Sequence, residues 1–257
     1  MNPAVDRGPL PQPPRLPEPP AGLLEGASLF IDFDGTLVDL IDRPDEVIAD
    51  ERLRALLMRL HDRPEGGIAV VSGRSIAQLD AMLGPVAQLI ALSGSHGTEH
   101  RWNGISAHPV RPETLDAAET ELRAFAEAHP GVMVESKSFG AALHYRLAPA
   151  AEAAARSLAR RIGAETGLAV QPGHMMIELR VPGSDKGVAV RGLMGRPPMA
   201  GTRPVFIGDD LTDEPGFIAA TELGGCGVLV GAPRESAARY GLADSAAVRA
   251  WLAGEHA

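Results

Sequence analysis

Leu29-Phe30-Ile31-Asp32-Phe33-Asp34-Gly35-Thr36-Leu37 is the stretch from which the rest of the chain is read. A short apolar run ends in two carboxylates two residues apart, and a Gly-Thr turn signal follows. Such a run reads as a buried parallel strand. In open α/β sheets ligands bind outside the carboxyl ends of the strands, which is where Asp32 and Asp34 fall. Two acids held together resist ionising both unless a cation lies between them. Mg²⁺ is the natural choice, because it takes carboxylate, carbonyl and water oxygens. With the metal bound, Asp32 is suited to attack phosphorus and Asp34 to handle the leaving group's proton. Two solvated acids in a turn fit the stretch as well, so the surrounding chain decides.

Working outward, Asp50 is expected to cap a helix carrying Leu53, Leu56, Leu57 and Leu60 on one face. Gly67–Val71 reads as a second buried strand, ending in Ser72-Gly73-Arg74. Ser75 opens another helix, and Leu89–Leu92 reads as a third strand. Strands alternating with short helices predict a Rossmann-like, doubly wound parallel sheet. From Glu99 the texture changes to a hairpin around Asn103-Gly104. A helix over about 112–128, strands over 132–135 and 141–147, a helix over about 149–165 and a hairpin turning at Pro172-Gly173 follow. This predicts a smaller α+β domain inserted at 98–181. The parallel pattern then resumes with a helix from Lys186, strands at 204–208 and 226–230, and a terminal helix over about 246–253. The expected organisation is a core at 23–97 and 182–257, the insert at 98–181, and a disordered tail at 1–22, where eight prolines leave little to bury.

The 257 residues suffice for one large core or two modest domains. A net charge of -9 argues against nucleic acid as the main partner. A small anionic substrate needs only a local patch of Lys, backbone N–H and metal. Cys226 is the one cysteine, so no intrachain disulfide and no cysteine metal cluster forms. No apolar run approaches the ~18 residues of a membrane span. A cytoplasmic monomer acting on a small molecule is the expectation.

Ser72 and the neighbouring Gly73 and Arg74 end one strand, and Asp209, Asp210 and Asp213 follow another. Lys186 opens a helix, where its cation and the helix N-terminus both favour an anion. Each has a plainer reading as a turn residue, a helix cap or a solvated lysine. Together they supply acids for a metal, a nucleophile, an acid/base and donors for a charged transition state, as phosphoryl transfer requires.

Asp32-Phe-Asp34-Gly-Thr, Val71-Ser72-Gly-Arg74, Lys186-Gly and Gly208-Asp209-Asp210 resemble the four motifs of the haloacid dehalogenase superfamily. The resemblance implies that Asp32 is a nucleophile forming an aspartyl-phosphate, with Asp34 the general acid/base. It implies that Ser72 and Lys186 bind the phosphoryl group and that Lys186 offsets the charge of Asp32. Mg²⁺ is then held by Asp32, the Asp34 carbonyl and Asp209, with Asp210 and Asp213 in support. A second aspartate at position 34 points to phosphatases or phosphomutases within the superfamily.

Gly94-Ser-His96-Gly97-Thr-Glu99, Glu135-Ser-Lys137, His144-Tyr145-Arg146, Glu178-Leu-Arg180 and Gly208-Asp-Asp-Leu-Thr-Asp-Glu214 with Phe217 are similar to the trehalose-6-phosphate phosphatase family. That resemblance runs from about Ser28 to Leu252. It implies that the insert is a cap whose Glu135, Lys137, Arg146 and Glu178, with His96 near a hinge, contact the sugar. The segments 94–97 and 182–183 are the expected hinges. Two positions depart from the family pattern: His174 stands where many relatives have lysine, and Val181 where many have proline. The competing readings are a phosphatase or phosphomutase for another sugar phosphate, and a non-catalytic sugar-phosphate sensor.

Overall fold

The computed structural model describes residues 14–40, 49–107, 110–173, 175–183 and 185–255. In chain order its elements are β1 (Ala27–Ile31), α1 (Glu51–His61), β2 (Ile68–Val71), α2 (Ile76–Leu83), β3 (Ala91–Gly94), β4 (Glu99–Trp102) and β5 (Ile105–Ala107). Then come α3 (Glu113–Ala128), β6 (Met133–Lys137), β7 (Gly140–His144), α4 (Glu152–Thr166), β8 (Ala169–Gly173) and β9 (Met176–Arg180). The chain ends with α5 (Lys186–Met194), β10 (Arg203–Gly208), α6 (Glu214–Glu222), β11 (Cys226–Val230), β12 (Tyr240–Leu242) and α7 (Ser245–Ala253). Two compact units divide it, Met1–Ile68 with Val190–Ala257, and Ala69–Ala189. This division falls inside β2 and α5, whereas the sequence reading draws its boundaries at 97/98 and 181/182.

In the first unit β1 pairs with β10, β10 with β11, and β11 with β12, all in parallel. β1 and β11 are buried along their whole length, as continuous apolar runs require. The Asp50 side chain caps α1 by accepting from Leu53 N at 2.7 Å, a contact worth about 1 kcal/mol. Leu53, Leu56, Leu57 and Leu60 are buried, the face that the leucine spacing predicts.

In the second unit β2 runs parallel to β3, and the β4–β5 hairpin continues antiparallel from β3. The hairpin turns where expected, with positive φ at Asn103 (48°) and Gly104 (73°). A separate antiparallel sheet has the order β6-β7-β9-β8. Leu115 and Leu122 of α3 and Ala155 and Ile162 of α4 share one apolar cluster with Leu143, Tyr145 and Leu179. Two helices on an antiparallel sheet are what the sequence predicts for the insert, whereas the β4–β5 hairpin, expected at the start of that insert, extends the sheet of β2 and β3 instead.

Four further expectations are corrected. The third strand is Ala91–Gly94, not 89–92. A 3-10 turn over Gly84–Gln88 consumes the preceding residues, leaving Leu89 about half exposed, and β3 pairs with β2 from Ala91 onward. Pro172 and Gly173 lie within β8, opposite Ile177 and Met176, so the hairpin turns after them. His174 lies outside the described residues. Arg146 is not on a strand, because β7 stops at His144 and Tyr145 turns its ring into the core. The proline-rich segment is ordered from its described part onward. Pro19 is buried, and the Pro17 carbonyl accepts from Gly241 N at 2.9 Å. Proline's fixed φ lowers the cost of ordering that stretch, and its carbonyl serves β12, a short strand that the sequence reading misses. Residues 1–13 of the expected tail lie outside the described residues.

Candidate active site

The first unit gathers three carboxylates. β1 ends at Ile31, and Asp32 N donates to the Ile207 carbonyl at 2.9 Å, which fixes Asp32 beside the end of β10. β10 delivers Asp209, and the turn that follows delivers Asp213. Asp32, Asp209 and Asp213 each offer one oxygen, all within 4.8 Å of one another. Asp32 is 5% exposed and Asp213 fully buried. Burying this much like charge is costly without a cation, and an all-oxygen donor set suits a hard divalent ion. Two glycines make the room. A Cβ at Gly35 would meet Asp209 Oδ2 at 2.2 Å, and one at Gly208 would meet Asp213 Cγ at 2.3 Å. Thr36 Oγ1 also donates to Asp209 Oδ1 at 3.2 Å.

Asp34 and Asp210 stand outside this trio. Asp34 is half-buried in a tight turn closed by Gly35 N to the Val38 carbonyl at 2.8 Å. The Asp210 carboxylate is a cap, accepting from Leu211 N at 2.6 Å, while Asp210 N donates to Asp213 Oδ2 at 2.9 Å. The sequence reading ranks Asp210 and Asp213 together. The geometry separates them: both acids cap the turn, and only Asp213 brings an oxygen to the cluster with Asp32 and Asp209.

Two arginines absent from the sequence reading hold these loops. Arg234 donates to Glu214 and, at 2.8 Å, to the Asp210 carbonyl. Arg249 Nε donates to the Leu37 carbonyl at 2.7 Å, and its Nη1 reaches Asp50 Oδ2 at 3.0 Å. Neither sits in a motif. Both act from loops or helices distant in sequence, so spacing gives no signal for them.

In the second unit Ser72 directly follows β2 and is buried. Its Oγ accepts from Arg74 N at 3.1 Å, and its carbonyl accepts from His96 N at 3.0 Å. The turn after β3 is left-handed at Ser95 (φ 49°) and His96 (φ 54°). Buried Glu99 pins it, accepting from Ser95 Oγ at 2.9 Å and from Ile76 N at 3.0 Å. A cleft in this unit is lined by Gly73, Ser95, His96, Lys137, Glu178 and Arg180, among others. Lys137 Nζ donates to Glu178 Oε2 at 2.8 Å, and Glu178 is buried. Burial, with the charges of Lys186, Lys137 and Arg180, pushes the His96 imidazole down to about 3, so the ring is neutral. Lys186 is itself 3% exposed. Glu135 pairs with His144 Nε2 at 2.8 Å. That bond, with the cations Lys137 and Arg74, holds Glu135 below the usual carboxylate range against the effect of burial.

Of the expected sugar contacts, His96, Lys137 and Glu178 line the cleft together. Glu135 stands one strand step from Lys137 on the same face. Arg146 is exposed in the turn after β7 and is not among the lining residues. Arg180 lines the cleft but was not among the expected contacts. Its signal was the period of two along β9, which puts Glu178 and Arg180 on one face.

Solved structures share this architecture. A trehalose-6-phosphate phosphatase related protein superposes with a TM-score of 0.76 at 29% identity, over 88% of this chain and 96% of that one. The C-terminal domain of the Candida albicans trehalose-6-phosphate phosphatase gives 0.77 over 92% and 97%, and at 23% identity it speaks for the fold alone. The fold is that of the haloacid dehalogenase superfamily, an α/β core with a separate antiparallel sheet, and the family and relatives that the chain matches make it a phosphoric monoester hydrolase. The chain belongs to the trehalose-phosphatase family, whose model matches residues 30–246. It is 36% identical to the trehalose-6-phosphate phosphatase of Escherichia coli strain K12, over 87% of this chain and 84% of that protein. It is 37% identical to a probable trehalose-phosphate phosphatase of Sinorhizobium fredii, with the same two shares.

Proposed function

We propose that the protein hydrolyses trehalose 6-phosphate to trehalose and phosphate, with Mg²⁺, through an aspartyl-phosphate on Asp32. The observation that carries this reading is the Asp32–Asp209–Asp213 carboxylate group, in a chain of the trehalose-phosphatase family. A carboxylate oxygen of Asp32 attacks phosphorus, and the bond from phosphorus to the sugar oxygen breaks. Asp34 protonates that leaving oxygen, then takes a proton from the water that attacks the phosphorylated Asp32. This releases phosphate and restores both aspartates. Asp32, Asp209 and Asp213 would hold the metal, which when bound supplies positive charge for the phosphoryl oxygens. Ser72, the Gly73 and Arg74 backbone, and Lys186 bind the phosphoryl group.

In the same proposal residues 98–181 form the cap, and 94–97 and 182–183 flank its movement. Glu135, Lys137, Glu178 and His96 contact the disaccharide, with Arg146 a further contact from its turn. Carboxylates accept from sugar hydroxyls, and Lys and Arg donate to hydroxyl or ring oxygens. A cytoplasmic location belongs to the proposal. Among the described residues no helix is long and apolar enough to cross a membrane.

The test is a substrate panel with Mg²⁺, comparing kcat/KM for trehalose 6-phosphate, sucrose 6-phosphate, glucose 6-phosphate and mannose 6-phosphate. Preference for the trehalose ester is the expected result. Preference for another ester keeps the hydrolase and overturns the substrate. Binding without turnover would support a sensor.

A further inference from the structure

We infer that Arg111 is a positioning residue for trehalose 6-phosphate recognition, acting through the backbone of the β6–β7 turn to aim Lys137. The inference rests on the proposed function. Arg111 lies just before α3 and is not among the residues lining the cleft. Its guanidinium is shared among four groups. Nη1 donates to the carbonyls of Lys137 and, at 2.8 Å, of Ser138. Nε donates to Asp116 at 2.6 Å and Nη2 to Glu119 at 2.7 Å. A planar fork with five donors is suited to such a junction, and an ammonium is not.

The contacts fall where the hairpin needs them. Lys137 and Gly140 form the last rung of the β6–β7 ladder, and Ser138 and Phe139 make the turn. The terminal rung is where a hairpin frays, and Lys137 sits on it. Arg111 holds both carbonyls that start the turn, and the two α3 acids hold Arg111. α3 also grips the opposite face of β6, because alternate strand residues point to opposite sides. Ser136 donates to Glu119 and accepts from Arg123 at 2.5 Å, while Glu135 and Lys137 face the other way. Burial raises the Glu119 carboxyl, but its bonds from Ser136, Arg123 and Arg111 outweigh this and hold it ionised. The outcome is a Lys137 Nζ fixed 2.8 Å from buried Glu178, two cleft residues from different strands kept in register.

The test measures kcat and KM of the full chain for trehalose 6-phosphate and for p-nitrophenyl phosphate, in wild type, Arg111→Ala, Arg111→Lys, Lys137→Ala and the Arg111→Ala/Lys137→Ala pair. A misplaced contact costs up to ~100-fold in such sites, and about 10-fold in KM for trehalose 6-phosphate is expected from Arg111→Ala. The aryl phosphate, which has no sugar to recognise, should change less than about twofold. Arg111→Lys should fall between Arg111→Ala and wild type. In the Lys137→Ala background the further effect of Arg111→Ala should vanish. A KM unchanged by Arg111→Ala, additive effects in the pair, or equal losses on both substrates would overturn the inference. Should Arg111→Ala fail to fold, the same cycle with Arg111→Lys decides between additive and non-additive effects. Wild type without preference for trehalose 6-phosphate would overturn the functional reading instead, and the inference with it.

Discussion

Gly35 leaves the space that the Asp209 carboxylate fills: a Cβ at Gly35 would stand 2.2 Å from Oδ2 and 2.5 Å from Cγ of Asp209. The backbone there is also left-handed, with φ of 79°. The Gly in the Asp-x-Asp-Gly-Thr stretch is therefore a condition for the carboxylate group proposed to hold the metal, as well as a turn residue. Gly35→Ala is expected to displace Asp209 and lower Mg²⁺-dependent phosphatase activity by about 100-fold. The Mg²⁺ concentration for half-maximal activity should rise with it. Wild-type Mg²⁺ dependence in Gly35→Ala would contradict the assignment of Asp209 as a ligand.

Glu135 tests the sugar contacts separately from the chemistry. A hydrogen bond to a charged group contributes about 1.5–3 kcal/mol, equivalent to ~10- to 100-fold in kcat/KM. Glu135→Ala is expected to lose that factor on trehalose 6-phosphate and to leave a small aryl phosphate within about threefold. Steady-state kinetics on both substrates provide the check, and equal losses would remove Glu135 from the sugar site.

The first unit's strands and leucine helix were legible because buried parallel strands read as apolar runs and an amphipathic helix repeats its leucines. The carboxylate trio was legible as motif residues, but not the difference between Asp210 and Asp213. Acids three residues apart look alike in sequence, and both cap the turn; only the geometry shows that Asp213 alone of the two also reaches the oxygens of Asp32 and Asp209. β12 leaves no signal in the sequence because Tyr240–Leu242 is three residues long and has no flanking periodicity. The stretch 141–147 reads as one strand because it alternates without a Gly or Pro to break it, and this carries Arg146 along. The ring of Tyr145 belongs to the core beneath the sheet, and the backbone has already turned. Arg111, Arg234 and Arg249 were illegible because each bonds backbone carbonyls far along the chain, which leave no trace in side-chain spacing.

His96 makes stability depend on pH with a defined sign. Its folded value of about 3 lies below the 6.5 of the free side chain, through burial first and then Lys186, Lys137 and Arg180. Between these values the unfolded chain binds the extra proton, so the full contribution is present above about 6.5 and is lost as pH falls toward 3. Asn tolerates the left-handed backbone at position 96, so His96→Asn removes the titration with little strain. The drop in the urea midpoint from pH 7 to pH 5 is expected to be smaller in His96→Asn than in wild type. Equal drops would show that His96 does not titrate as described.

The most direct measurement is acid-quenched single turnover of trehalose 6-phosphate labelled in its phosphoryl group, with Mg²⁺ present, followed by digestion and mapping of the label. Label is expected on the peptide containing Asp32, appearing before free phosphate and decaying into it, with neither label nor phosphate from Asp32→Asn. Phosphate released at the wild-type rate by Asp32→Asn, or label carried on a peptide lacking Asp32, would contradict it.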